Sequence, residues 1–137
     1  MNVAPTAKID RIAWPTDSGF VFTTRTEVAY CVADGSYTKV FFSNGAQVMI
    51  SYKIKIVEQL LGGLPYFRIH ESYIVNLLHA LRITKKDGTW LLSIQDVEMP
   101  VAKARQKALM NNYRTLHEAK MALHEQKHPA NESSLEQ

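Results

Sequence analysis

Residues 66–77 read YFRIHESYIVNL, with aromatic and branched aliphatic side chains alternating with an arginine, a histidine, a glutamate, a serine and an asparagine. Taken alone, this mixture fits a catalytic strand, a metal site, a nucleic-acid reader or a well-capped core segment. The surrounding chain has to choose among them.

At 137 residues and 46% hydrophobic composition, the chain has enough apolar surface for one domain with a real core. The formal charge is only +3, but it is unevenly spread: residues 36–107 contain ten basic and five acidic side chains, and the flanking segments are each slightly acidic. That balance permits an anionic partner without requiring one. The single cysteine, Cys31, excludes an intrachain disulfide and argues against structural zinc. Neither a signal-peptide h-region nor an apolar run of membrane-spanning length is present, so a soluble cytoplasmic protein is expected.

Asx-Gly pairs at Asp34-Gly35, Asn44-Gly45 and Asp87-Gly88 each separate segments with strand character. Such pairs tolerate the positive φ of tight hairpin turns. Val28, Tyr30 and Val32, then Val40 and Phe42, then Val48 and Ile50 recur at period two, which predicts a three-stranded meander over 26–51. A second strand pair is expected at 80–84 and 89–94, and an earlier strand at 20–23 after a turn at 15–19. Two helices are predicted. One covers 52–61 and stops at Gly62-Gly63; the other starts at Ala102 and carries Leu109, Tyr113, Leu116 and Leu123 on one stripe. Beyond Pro129 the polar tail is expected to fray.

Catalytic and metal readings find little support. His124 and His128 have i, i+4 spacing but lack the glutamate of a helical zinc motif, so a solvated helix face is the simpler account. Ser72 lies near His70 in sequence without a nucleophile elbow, and no phosphate-binding glycine loop occurs. Cys31 is expected in the core, and Asp96 and Glu98 around a turn. No enzyme, metal or cofactor is therefore expected. Lys39, Lys85, Lys86, Lys103, Arg105 and Lys107 lie near hairpin ends or at the start of the last helix, where long cations reach phosphates or simply solubilise the surface.

The opening stretch resembles the signature of LytTR-type DNA-binding domains, F-x-R-I-H-R-S-Y-I-V-N. Nine of the ten residues from Phe67 to Asn76 match once the spacer after Phe67 is omitted. Residues 27–37, EVAYCVADGSY, are similar to the family's D-I-x-Y-I-E-A-x-G-x-Y, and Met99-Pro-Val-Ala-Lys103 to its I-P-V-S-R. The resemblance spans roughly 9–110. It implies a mainly β fold, an elongated antiparallel arrangement of small sheets with a short internal helix and a C-terminal amphipathic helix. Residues 1–8 would form an arm, 111–128 a helical extension and 129–137 a disordered tail.

The implied function is sequence-specific binding of double-stranded promoter DNA by a bacterial transcription regulator, with loops entering successive major grooves. The family's base-contact positions fall on Tyr37, Glu71 and Lys103. Backbone contacts are expected from Lys39, His70, Ser72 and Arg105, whereas Asn76 is expected to fix a turn. Glu71 replaces a frequent arginine and accepts from the cytosine amine instead of donating to guanine; Lys103 keeps a charge but loses the arginine fork. The rival reading is an interaction module of the same fold that has lost specific DNA binding. The residues before Ile9 are too few for the receiver domain found in many relatives, so control is expected from a separate sensor protein, from homodimerisation through the last helix, or from transcript level.

Overall fold

A computed structural model describes residues 10–127. The chain order is β1 (Arg11–Thr16), β2 (Gly19–Thr24), a 3-10 turn (Arg25–Glu27), β3 (Val28–Asp34), β4 (Tyr37–Phe42), β5 (Gln47–Ile50), α1 (Ile54–Leu61), β6 (Tyr66–His70), β7 (Tyr73–Asn76), β8 (Ala80–Lys86), β9 (Thr89–Ile94), β10 (Val97–Val101), a second 3-10 turn (Lys103–Arg105) and α2 (Gln106–Lys127). All pairings are antiparallel, in a hairpin β1-β2, a sheet β10-β9-β8 and a five-stranded sheet β5-β4-β3-β7-β6.

The mainly β fold with two helices is the expected one. Asp87 and Gly88 both have positive φ, 53° and 82°, as a two-residue hairpin turn of this kind requires. The first turn sits one residue later than the sequence suggests: Asp34 pairs with Tyr37, leaving Gly35 at φ 62° and Ser36 as the central residues. The expected meander forms as β3-β4-β5, but it starts at Val28 because Arg25–Glu27 turn as a 3-10 helix. There the Thr24 amide donates to the Glu27 carboxylate at 2.5 Å, and the hydrogen bonds from Thr24 hold that carboxyl below the usual range.

Several expectations need correction. The segment 15–19 is not all turn, because Pro15 and Thr16 belong to β1. Asp96 is in the turn before β10, but Glu98 lies within that strand. Two strands that the sequence concealed, β1 and β10, contain a proline and lie at a sheet edge, where proline is tolerated. The first helix starts at Ile54 instead of Tyr52, since Lys53 is extended and the Tyr52 carbonyl accepts from the Thr38 hydroxyl at 2.8 Å. It ends at Gly62 in the left-handed region, as predicted. The last helix begins at Gln106, with a 3-10 turn where its first residues were expected. Along its stripe Leu109 is buried, Leu116 half-buried and Tyr113 exposed; the Leu123 and His124 side chains lie outside the description, as do His128, the arm 1–8 and the tail 129–137.

Residues 66–77 form two strands, β6 and β7, joined by a tight turn. Ile69 makes a β-bulge between the Arg68–Ile74 and His70–Tyr73 pairs, leaving Glu71 and Ser72 as the turn.

The five-stranded sheet is covered on both faces. Trp14 of the hairpin and Ile54, Val57 and Leu61 of α1 pack with Cys31, Val40 and Ile74 on one side. Leu92, Ile94, Met99 and Val101 of the small sheet, with Leu109 of α2, pack with Tyr30, Ile69 and Val75 on the other. Cys31 is fully buried, and burial pushes its thiol well above the ordinary range. The native protein should therefore resist alkylation by iodoacetamide at pH 8 and label fully in denaturant, as read by mass spectrometry; rapid native labelling would show that the centre of β3 is open.

Candidate nucleic-acid interface

Three backbone hydrogen bonds and pairs assemble one end of the five-stranded sheet. The Ala33 amide donates to the Ser72 carbonyl at 2.8 Å and Val32 pairs with Tyr73, so the β3–β4 turn and the β6–β7 turn lie side by side. The Ala102 amide donates to the Ile69 carbonyl at 2.8 Å, which brings the following residue, Lys103, alongside the same end of β6. Tyr37, Glu71 and Lys103, far apart in sequence, thus gather at one end. Lys39 pairs with Val32, Val32 with Tyr73 and Tyr73 with His70; Lys39 and His70 therefore belong to one cross-strand row on one face.

Tyr37 is 38% exposed, and its hydroxyl donates to an Asp17 carboxylate oxygen at 3.2 Å, tying it to the β1–β2 turn. The His70 Nδ1 accepts the Ser72 amide proton at 3.1 Å, which leaves Nε2 as the ring's other polar atom. Its ring lies 5.1 Å from that of Tyr73. Glu71 and Lys103 are exposed, and neither is in an ion pair with another described residue. Arg105 is half-buried, and its Nη1 donates to the Arg68 carbonyl at 3.0 Å. It is held against β6 more than extended into solvent.

One further side chain organises this end of the sheet. Arg68, with its side chain 16% exposed, donates from Nη1 to a Glu58 carboxylate oxygen at 3.0 Å and from Nη2 to the Glu71 carbonyl at 2.6 Å. One guanidinium therefore joins α1 to the Glu71 turn. The usable signal was an arginine at an inward strand position following a helix that carries a glutamate on its sheet-facing side. A second arginine does related work. Arg25 donates to the carbonyls of Leu61 at 2.5 Å, Gly63 at 3.2 Å and Leu64 at 2.7 Å, closing the end of α1, and lies 5.1 Å from the centre of the Tyr66 ring.

Asn76 is buried, as a turn-fixing residue should be. Its Nδ2 donates to the Val28 carbonyl at 3.1 Å and its Oδ1 accepts the Leu78 amide at 2.9 Å. The Tyr66 hydroxyl donates to the carbonyls of Arg25 and Val28, and burial pushes its pKa up to about 12.

The fold is thus a small antiparallel β scaffold that presents turns and cations at one sheet end. Residues 18–114 match the model of the LytTr DNA-binding domain, and the chain belongs to that family. The family is a DNA-binding one, not a catalytic one, of the kind found in response-regulator transcription regulators. The chain is 25% identical over 114 residues to the sensory transduction protein LytT of Oceanobacillus iheyensis, covering 80% of this chain and 46% of that protein, so it spans about half the relative's length. The LytTr DNA-binding domain of a methyl-accepting/DNA response regulator from Bacillus cereus has the same fold. The TM-score is 0.65 at 23% identity, over 77% of this chain and 98% of that one. No described helix is long and apolar enough to cross a membrane.

Arg68→Ala should lower stability by about 1–3 kcal/mol in urea unfolding, as loss of a largely buried charged donor does, and should broaden the Glu71 and Ser72 amides in NMR spectra. Unchanged amides at those two positions would remove Arg68 as the brace of the turn.

Proposed function

We propose that the chain is a cytoplasmic bacterial transcription regulator that reads promoter DNA with this end of its sheet, its turns entering successive major grooves. Tyr37, Glu71 and Lys103 approach base edges, while Lys39, His70 and Ser72 meet phosphates. Arg105 contributes mainly by bracing β6, since one of its amino groups is already committed to the Arg68 carbonyl. The observation carrying this reading is the convergence of the three family base-contact positions at one sheet end, through bonds at Ala33 and Ala102. The His70 contact supports it, because with Nδ1 engaged by the Ser72 amide the Nε2–H is left to donate to a phosphate oxygen.

A second reading has an observation of its own. Asp17, Asp34 and Glu71 are exposed at the same end, and three carboxylates there oppose phosphate. An interaction module that has lost specific DNA binding would look like this.

A mobility-shift titration against promoter fragments at rising salt decides between them. Specific complexes with a steep salt slope are expected, and absence of binding at low salt would sink the DNA reading. Lys103→Ala should cost about 1–3 kcal/mol on the specific site. Glu71→Gln should relax selection for cytosine at one position in enrichment from a random DNA pool, and an unchanged pool would remove Glu71 as a reader.

Control is assigned to a separate sensor protein or to pairing of two chains through α2, a helix of 22 residues and about 33 Å. Met110, Tyr113 and Met121 are exposed along it. Sedimentation should show a dimer that truncation after Arg114 abolishes; a monomer for both forms would end the pairing.

A further inference from the structure

The three-stranded sheet ends on one side at β8, and no described strand continues it. Among the described residues, no backbone group of residues 81–86 makes a hydrogen bond outside the ladder to β9. An edge of this length is a template for a further strand, because its outward N–H and C=O groups lack protein partners.

An apolar groove of about 270 Å³ runs between β8 and the first turns of α2, where Leu109, Met110 and Tyr113 form its far wall. Its near wall takes every residue from Ala80 to Ile83, from both faces of the strand, so the groove follows the edge and not one face. A smaller depression sharing Leu77, Ala80 and Tyr113 prolongs it to Leu116. Leu81, left out of register at a bulge, is 63% exposed and Tyr113 is 48% exposed, so these apolar walls are wet.

Charge narrows what can lie there. Arg82 and Lys86 share one face of β8, whereas Ile83, on the other, packs against the core. Lys85 adds a third cation, its Nζ 4.9 Å from the centre of the Trp90 ring. None of the three is in an ion pair with a described residue. Two copies meeting edge to edge would set two such groups of cations against each other, which opposes self-pairing as lysines on natural sheet edges do.

We propose that β8 takes up an extended segment of a partner protein as a fourth strand of this sheet, and that the segment alternates apolar and acidic side chains. Main-chain bonds to β8 hold it. Its apolar side chains enter the groove against Ile83, Met110 and Tyr113, and its carboxylates meet Arg82 and Lys86 on the other face. Only a period of two serves the apolar wall and the cationic face together, so a segment of one character throughout satisfies half the site. The site stands whether or not the end of the five-stranded sheet reads DNA. Met110 and Tyr113 also lie on the α2 face assigned to pairing, so a bound segment and a paired chain compete for that wall.

The test is an NMR titration of the full chain with a capped peptide of the length of β8 that alternates glutamate and valine. One control peptide has the same composition with glutamates and valines in separate blocks; another alternates lysine and valine. The glutamate–valine alternation should shift the amides of residues 81–86 saturably, slow hydrogen exchange at alternate positions among them, and give contacts to the Met110 and Tyr113 side chains. Neither control should do so. An equal response to the block peptide, no saturation, or shifts without slowed exchange would overturn the proposal. Arg82→Glu combined with Lys86→Glu, both at exposed positions, should weaken the glutamate peptide roughly tenfold and make the lysine peptide the better ligand, because like charges facing across strands repel. Tyr113→Asp, in the opposite wall, should weaken the glutamate peptide while leaving the β8 resonances of the free chain in place. Unchanged binding in either folded variant overturns the site. Slowed exchange of these amides in the chain alone also overturns it: dependence on protein concentration would give the edge to a second copy, and independence would give it to the chain's own residues. If duplex promoter DNA moves these amides and the peptide does not, the edge belongs to nucleic acid and the added strand is refuted.

Discussion

Burial of β3 on both faces is the constraint from which the rest follows. Val28, Ala29, Tyr30 and Cys31 are all buried in succession, which is possible only where one side of the sheet is closed by α1 and the hairpin and the other by the small sheet and α2. A strand with two dry faces has to satisfy its backbone within the sheet, and β4 and β7 supply that on either side. The Val28 carbonyl, at the point where β3 leaves the 3-10 turn, is met by the Tyr66 hydroxyl and the Asn76 amide. The far end of β3 then fixes where the β3–β4 and β6–β7 turns emerge. The core and the clustering of turns at this sheet end are consequences of the same strand.

The edge of the five-stranded sheet at β6 shows how a rigid scaffold fixes the position of a loop beyond it. An edge strand exposes unpaired backbone groups, and here the segment before α2 covers them: Ala102 donates to Ile69, and Arg105 to Arg68. The bulge at Ile69 makes both contacts available on successive carbonyls while keeping the Ile69 side chain fully buried. Lys103 thereby inherits its position from a β-edge, not from a flexible linker. Arg68 adds a tie from the opposite direction through Glu58. Positioning comes from main-chain bonds and two arginines, and the exposed residues Glu71 and Lys103 are left free of structural duty.

How much of this the sequence discloses depends on whether a feature is local. The meander, the glycine-bearing turns, the helix stop at Gly62 and the match over Phe67–Asn76 all rest on neighbouring residues, and they were legible. The strands holding Pro15 and Pro100 were not, because proline argues against a strand until the strand is known to lie at an edge. The split of residues 66–77 into two strands was hidden for a related reason: the bulge shifts the alternation by one residue just where the turn begins. The brace at Arg68 depends on a helix ten residues earlier and on a carbonyl three residues later, so no local pattern shows it. The family resemblance located Tyr37, Glu71 and Lys103, and the hydrogen bonds at Ala33 and Ala102 supply the physical reason why they meet.

On the DNA-reading proposal, the placement of Glu71 has an energetic logic that the charge distribution makes concrete. A carboxylate at the contact end weakens attraction to every phosphate nearby, on specific and nonspecific DNA alike, and only a cytosine amine in reach of its oxygens offsets that loss. Specificity is a difference of affinities, so a residue that lowers binding everywhere except at the correct base raises the ratio while lowering the total. The basic excess over residues 36–107 supplies the long-range attraction that such a residue forfeits. Lys103 fits the same balance: an ammonium holds charge near the groove without the bidentate preference of arginine, which shifts the burden of discrimination toward Glu71. A carboxylate can discharge that burden only if it is held still. The 2.6 Å bond from Arg68 to the Glu71 carbonyl fixes the backbone from which it projects, and any substitution that moves Arg68 therefore acts on selectivity before it acts on overall affinity.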